Sequence, residues 1–341
     1  MLVSIIIFAF TIFFLISFDK SDVFLSKDST DSAKGYCMLL IMSHHILNTT
    51  GYPEFVSFIR MSGYICTGIF FFLSGYGNYL SLSNKKTIKI TWITRRLKKL
   101  YMIFLTCYVA NLAILLVYDL LGKEQYSFSI KKTLGEICIF SLPETINWFP
   151  KVIIVTLVIM FIIFKTVKNE SSRILLLIII PMVYAAICAF LGIDKYWYNS
   201  VLCFPMGALV AMKKDQIKHF FSRMDNHIHI SIIIAILIMS IVTSHFWGTA
   251  YILQIIPCLM YSVLLVFTLS FFSIKNVFFQ FIGTNSFEFY LIHVMWFTVL
   301  KRYVGVSSSL YALAVYILTI ICVCMYKKCQ CKLSGIKKQL Q

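Results

Sequence analysis

Two adjacent histidines, His44 and His45, interrupt an apolar run that opens at Lys34 in the stretch KGYCMLLIMSHHIL. Imidazole titrates near neutrality, so it can move a proton or briefly carry a transferred group. His45 follows Lys34 by eleven positions. On a helix that is three turns plus about 20°, so the two side chains share a face about 16 Å apart along the axis. His44 points about 100° away. A later run, IGTNSFEFYLIHV, carries His293 about as far from its start as His45 lies from Lys34. Ser286 and Tyr290 precede His293 by seven and three positions and share its stripe. Glu288 falls on another face, either paired with a basic residue or solvated. Ionisable groups among apolar residues are costly in a membrane and usually mark function. The plainer reading of each histidine is a neutral ring bonded to a neighbouring helix.

Three further stretches could carry chemistry. FFFLSGYGNY offers Ser74, Gly75 and Gly77, small residues that admit another helix or a substrate close to the backbone. The segment KKTIKITWITRRLKKLY holds seven basic residues, among them Arg95 and Arg96. It reads equally as a topology signal in a solvated loop or as an anion clamp for a phosphorylated cofactor. Cys322, Cys324, Cys329 and Cys331 cluster at the exit of the last apolar run. Reduced thiols or lipidation are the plainer readings there, and no metal site is expected.

These residues must be positioned by membrane helices. The chain has 341 residues, 60% apolar and 13% charged, against roughly half and a quarter in soluble domains. Apolar runs of membrane-spanning length recur from end to end, without the short alternating segments of a β-barrel. The expected fold is all-α, a polytopic transmembrane helical bundle of about eleven spans: 2–18, 34–50, 61–82, 99–121, 149–168, 173–192, 197–212, 228–247, 249–272, 281–301 and 308–326. The expected organisation is an N-terminal anchor helix and connector over 1–33, a membrane domain over 34–326 and a basic tail over 327–341. A cleaved signal peptide is disfavoured for the first run, which has no basic start and no small-residue cleavage site. The net charge of +17 could suggest a nucleic-acid partner. Yet 23 of the 31 Lys and Arg fall in alternate inter-span segments and the tail. That asymmetry predicts a cytoplasmic basic side and a cytoplasmic C-terminus. No nucleic acid is expected as a partner.

Together the motifs resemble the membrane-bound acyltransferase-3 family, the bacterial polytopic O-acyltransferases. A basic residue, ten positions and a histidine appear as Lys34 and His45, with Lys where Arg is common. FFFLSGYG, RRLKKLYM, NWFP with Trp148 and Phe149, CFPMGALVA and SFEFYLIH follow in family order. Met102 stands where the family often has Pro, and one extra span precedes the usual ten. The resemblance implies a multi-pass protein of the bacterial cytoplasmic membrane with no permanently bound cofactor. Acyl-CoA, usually acetyl-CoA, would donate the acyl group to a sugar hydroxyl on an envelope or extracellular polysaccharide or its lipid-linked precursor. Catalysis would fall to His45, Lys34 and His293. Arg95, Arg96, Ser74, Tyr290, Ser286 and Trp148 would bind donor or acceptor. A proton-coupled transporter or flippase of glycan intermediates is the alternative, with the histidines as a relay, although no paired repeat is legible. A glycan polymerase is a third reading, with only a modest segment at 122–148 to serve it.

Overall fold

The structure is a computed structural model and describes residues 18–20, 24–51, 62–120, 129–138, 141–142, 148–245, 252–303 and 309–339. Its helices are α1 (Lys27–Thr50), α2 (Ser62–Ser83), α3 (Thr91–Leu120), α4 (Ile130–Cys138), α5 (Trp148–Thr166), α6 (Glu170–Phe190), α7 (Cys203–Met212), α8 (Lys214–Ser222), α9 (Asn226–His245), α10 (Ile252–Phe271), α11 (Val277–Thr284), α12 (Ser286–Tyr303) and α13 (Ser309–Gln339). An antiparallel ribbon joins β1 (Phe18–Lys20) to β2 (Phe272–Ile274), with Asp19 opposite Ser273. The architecture is an all-α polytopic bundle. Among the described residues, seven helices are long and apolar enough to cross a membrane: α2, α3, α5, α6, α9, α10 and α13.

Several boundaries differ from the sequence expectation, each for a local reason. α1 begins at Lys27, where the Ser26 hydroxyl accepts from the Ser29 amide at 3.2 Å and caps the first turn. Lys34 therefore lies two turns inside the helix instead of opening it. α3 begins at Thr91, so Arg95, Arg96, Lys98 and Lys99 ride on helix and not on a loop. No Gly or Pro intervenes to stop the helix after Thr91. The expected span 197–212 is a 3-10 turn at Lys195–Trp197 followed by α7, whose ten residues are too few to cross a membrane. The expected span 281–301 is divided at Asn285 into α11 and α12. α13 carries the helix on to Gln339, through most of the expected tail. The first expected span, 2–17 in particular, lies outside the described residues.

Two backbone-to-backbone crossings set the frame. A Cβ on Gly75 would collide with the Phe204 carbonyl on α7, and one on Gly207 with the Phe72 carbonyl on α2. α1 and α11 meet likewise, where Gly35 abuts Phe279 and Gly283 abuts Asp31. Small residues at such contacts let membrane helices approach without side chains between them. α12 and α13 complete the wall beside α1. There the Tyr316 and Ser43 hydroxyls lie 2.5 Å apart, in a site closed to solvent. At the base of the bundle the buried Glu288 carboxylate pairs with the Lys327 ammonium. The sequence alone leaves Glu288 with a basic partner or with solvent; the structure supplies Lys327.

Candidate functional site

α1 carries His44 and His45 to a cavity of about 680 Å³. The opposite walls come from α2 (Gly63, Tyr64 and Thr67), from Trp148 at the start of α5, and from Gln254 on α10. The fourth wall is the segment 192–199 between α6 and α7, with Asp194, Lys195, Tyr196, Tyr198 and Asn199. Tyr290 of α12 reaches the same cavity. Pro150 falls in the first turn of α5, where a missing amide costs little, so Trp148 can begin the helix and face the cavity.

The rings form a connected set. His45 lies 5.4 Å from His293 and 5.3 Å from His44, centroid to centroid. His293 lies 5.7 Å from Tyr290, which meets Phe149 in turn at 5.4 Å with the rings tilted. At the mouth Trp148 meets Tyr196 at 6.0 Å. His293 is 1% exposed. Its Nδ1 lies 2.9 Å from the Phe289 carbonyl. A carbonyl only accepts, so Nδ1 carries the proton and Nε2 keeps its lone pair. Nε2 is buried and has no hydrogen-bond partner among the described residues. His45 is half-buried on the cavity wall, and among the described residues no group bonds its ring nitrogens. The His44 ring sits over Gly63, and its Nε2 lies 2.9 Å from the Asn48 amide nitrogen. Such a set can take a proton from a hydroxyl at His45 and pass it towards a fixed second imidazole. The Tyr196 hydroxyl donates to Asp194 Oδ2 at 2.9 Å. Burial and that carboxylate push the phenol above its ordinary pKa, so it stays a neutral donor.

The structure thus brings together His45, His293, Tyr290 and Trp148 of the residues expected from sequence. It places the others elsewhere. The Lys34 ammonium pairs with Asp31 at 2.6 Å, and Thr284 donates to the other oxygen of that carboxylate at 3.4 Å. Ser286 opens α12 about 10 Å of helix rise below His293. Ser74 accepts from Asn78 Nδ2 at 3.2 Å, and Asn78 Oδ1 accepts from Arg96 Nε at 3.1 Å. Arg96 also donates to Ser81 at 3.1 Å and stacks 3.8 Å over Trp92. Its guanidinium is therefore engaged in joining α3 to α2, whereas Arg95 is exposed. Among the described residues no group of His, Cys, Asp or Glu is arranged to hold a metal ion. The wall at 192–199 was not legible as a site. Its only signal was a polar and aromatic run, GIDKYWYN, between two apolar ones.

Residues 27–327 match the model of the acyltransferase domain, the acyltransferase-3 type. The chain belongs to that family. The match starts where α1 starts and ends at the lysine that pairs with Glu288, so the whole histidine cavity falls within it. No curated protein and no solved structure matches the chain. As a family member the chain is a membrane-embedded protein of the transferase class.

Proposed function

We propose that this protein is an O-acyltransferase of the bacterial cytoplasmic membrane. It moves an acyl group, taken to be acetyl, from cytoplasmic acyl-CoA to a hydroxyl of an envelope or extracellular polysaccharide or its lipid-linked precursor. The observation that carries this reading is the His45–His293 pair at 5.4 Å, with His45 on the wall of a cavity large enough for a sugar ring and an acyl group. Family membership supports the reaction class. The charge asymmetry supports the orientation, with Lys34, the basic segments and the C-terminus on the cytoplasmic side. The cavity is bounded by segment 192–199, at the end of the bundle away from Lys34. The acceptor then enters from outside, and the thioester travels about 16 Å along the α1 face from the level of Lys34 to His45.

In the reaction His45 draws the proton from the acceptor hydroxyl. The hydroxyl oxygen bonds to the thioester carbonyl carbon, the carbon–sulfur bond breaks, and the proton leaves with the coenzyme thiol. His293, fixed by Phe289, backs the ring and shares the proton. Carriage of the acyl group on His45 is the variant in which the imidazole attacks first. Trp148 and Tyr196 offer flat faces to the apolar side of a sugar, and Asp194, Asn199 and Gln254 offer polar partners to its hydroxyls.

The test supplies acyl-labelled coenzyme to membranes and follows label into glycan. Wild-type membranes should transfer it, and His45→Ala at matched expression should lose about 10²–10⁴-fold, the usual range for a general base. A transporter would leave the thioester intact. Wild-type turnover in His45→Ala would end the proposed chemistry.

A further inference from the structure

A second, smaller cavity of about 210 Å³ lies at the other end of the bundle. Four cations line it from three segments: Lys85 and Lys86 just after α2, Lys165 in the last turn of α5, and Arg173 in the first turn of α6. Among the described residues no carboxylate lines it. The nearby Glu170 is already engaged, accepting from the Tyr79 hydroxyl at 2.5 Å. Among the described residues none of the four cations has an ion-pair partner. Arg173 is held in place by its neighbours. Its Nε donates to the Val167 carbonyl at 2.7 Å, and its guanidinium carbon stacks 4.6 Å over Phe164. The two terminal nitrogens have no hydrogen-bond partner among the described residues. Gathering four like charges around one hollow is unfavourable until an anion neutralises them.

We propose that this hollow is a phosphate-binding site. It is distinct from Arg95 and Arg96, the pair singled out by sequence, of which Arg96 is engaged by Asn78, Ser81 and Trp92. A fork of guanidinium nitrogens with ammonium groups around it suits a tetrahedral, multiply charged phosphate, whose charge can answer several cations at once. Ser83 in the lining lies twenty residues along α2 from Gly63, which abuts His44. That is about 30 Å of rise, so the hollow lies at the boundary opposite the histidine cavity. Two sources could bring the phosphate there, a soluble coenzyme or an anionic lipid headgroup. The coenzyme source rests on the acyltransferase reading, and the lipid source does not.

The test places the full-length protein in phosphatidylcholine nanodiscs and in nanodiscs that also contain phosphatidylglycerol. The variant is Lys85→Gln/Lys86→Gln/Lys165→Gln, three exposed side chains whose loss should not disturb folding; thermal melts check this. Coenzyme A binding is titrated in the first bilayer, and retained phosphatidylglycerol is counted by native mass spectrometry from the second. A fall of about tenfold or more in coenzyme A affinity establishes the site with a coenzyme phosphate. Unchanged coenzyme A binding with loss of retained phosphatidylglycerol establishes it with a headgroup. No change in either probe overturns the site, and wild-type acyl transfer in that variant would leave the proposed function standing without it. Loss of retained lipid in the variant, with no acyl transfer by the wild-type protein, would do the reverse.

Discussion

Gly63→Ala tests whether the histidine cavity is as tightly set as its geometry implies. A Cβ at Gly63 would stand 2.6 Å from His44 Cδ2, 2.8 Å from Nε2 and 2.9 Å from Cγ. Carbon atoms in contact rest at about 3.5–4.0 Å, so the ring must retreat by roughly 1 Å. It has little room to do so. Nε2 is tied to Asn48 at 2.9 Å, and the His45 ring lies 5.3 Å away. Overpacking of this kind usually destabilises by about 1–3 kcal/mol. The effect on turnover should be larger in proportion, because a 1 Å misplacement near reacting groups can cost about 10²-fold. The assay is transfer of labelled acyl groups to glycan in membranes with equal amounts of protein, beside a thermal melt in detergent. Gly77→Ala is the control, since nothing lies within 4 Å of a Cβ there. Adding His44→Ala to Gly63→Ala removes the collision and should recover part of the lost rate. If Gly63→Ala turns over at the wild-type rate, the idea that α2 presses His44 into register with His45 is wrong.

Two further outcomes follow from the ion pairs. Lys327→Ala strands the Glu288 carboxylate, which is 2% exposed, and should destabilise by about 3–5 kcal/mol, read as a lowered melting temperature. Glu288→Gln/Lys327→Met should melt closer to wild type, because no charge is then left unpaired. At α1, Lys34→Ala alone would confuse lost function with a stranded Asp31, which is 6% exposed. Asp31→Asn/Lys34→Gln removes both charges and should fold, yet transfer acyl groups at least about tenfold more slowly if the ammonium steers the donor. Wild-type kinetics in that double variant would reduce Lys34 to a partner for Asp31.

The parts of the site that a helical period can reach were legible. His45 follows Lys34, and His293 follows Ile282, by eleven positions, and that equal rise pointed to a shared depth. The helices in fact start at Lys27 and Ser286, so the 5.4 Å meeting depends on how α1 and α12 pack and not on equal distance from their starts. Tyr290 came with His293 because positions three apart share a face. The readings that failed needed the packing of one helix on another. Ser74 was grouped with the histidines through the small-residue, family-like stretch FFFLSGYG. Its actual neighbours are Asn78 and, through it, Arg96, and that contact exists only because α3 lies against α2. Likewise Arg96 among four neighbouring cations reads as a phosphate clamp until Trp92 and Ser81 are seen to hold it.

The cavity's far wall failed for a different reason. Segment 192–199 has no helical or strand period, so composition alone marks it as a connector. Yet an enzyme that receives an acyl group from one side of a membrane and a hydroxyl from the other needs both to meet at one depth. The helices can supply only the side chains that run along them. On the proposed reaction, a wall that selects the acceptor would come from chain that turns back at the opposite boundary, which is where Asp194, Tyr196 and Asn199 lie. By the same reasoning a phosphate on the basic side would be held where helices end, and there Lys85, Lys86, Lys165 and Arg173 converge from segments up to 88 residues apart. The histidines at mid-depth can be read along single helices, while the two proposed binding ends are properties of chain turns that only the folded bundle brings together.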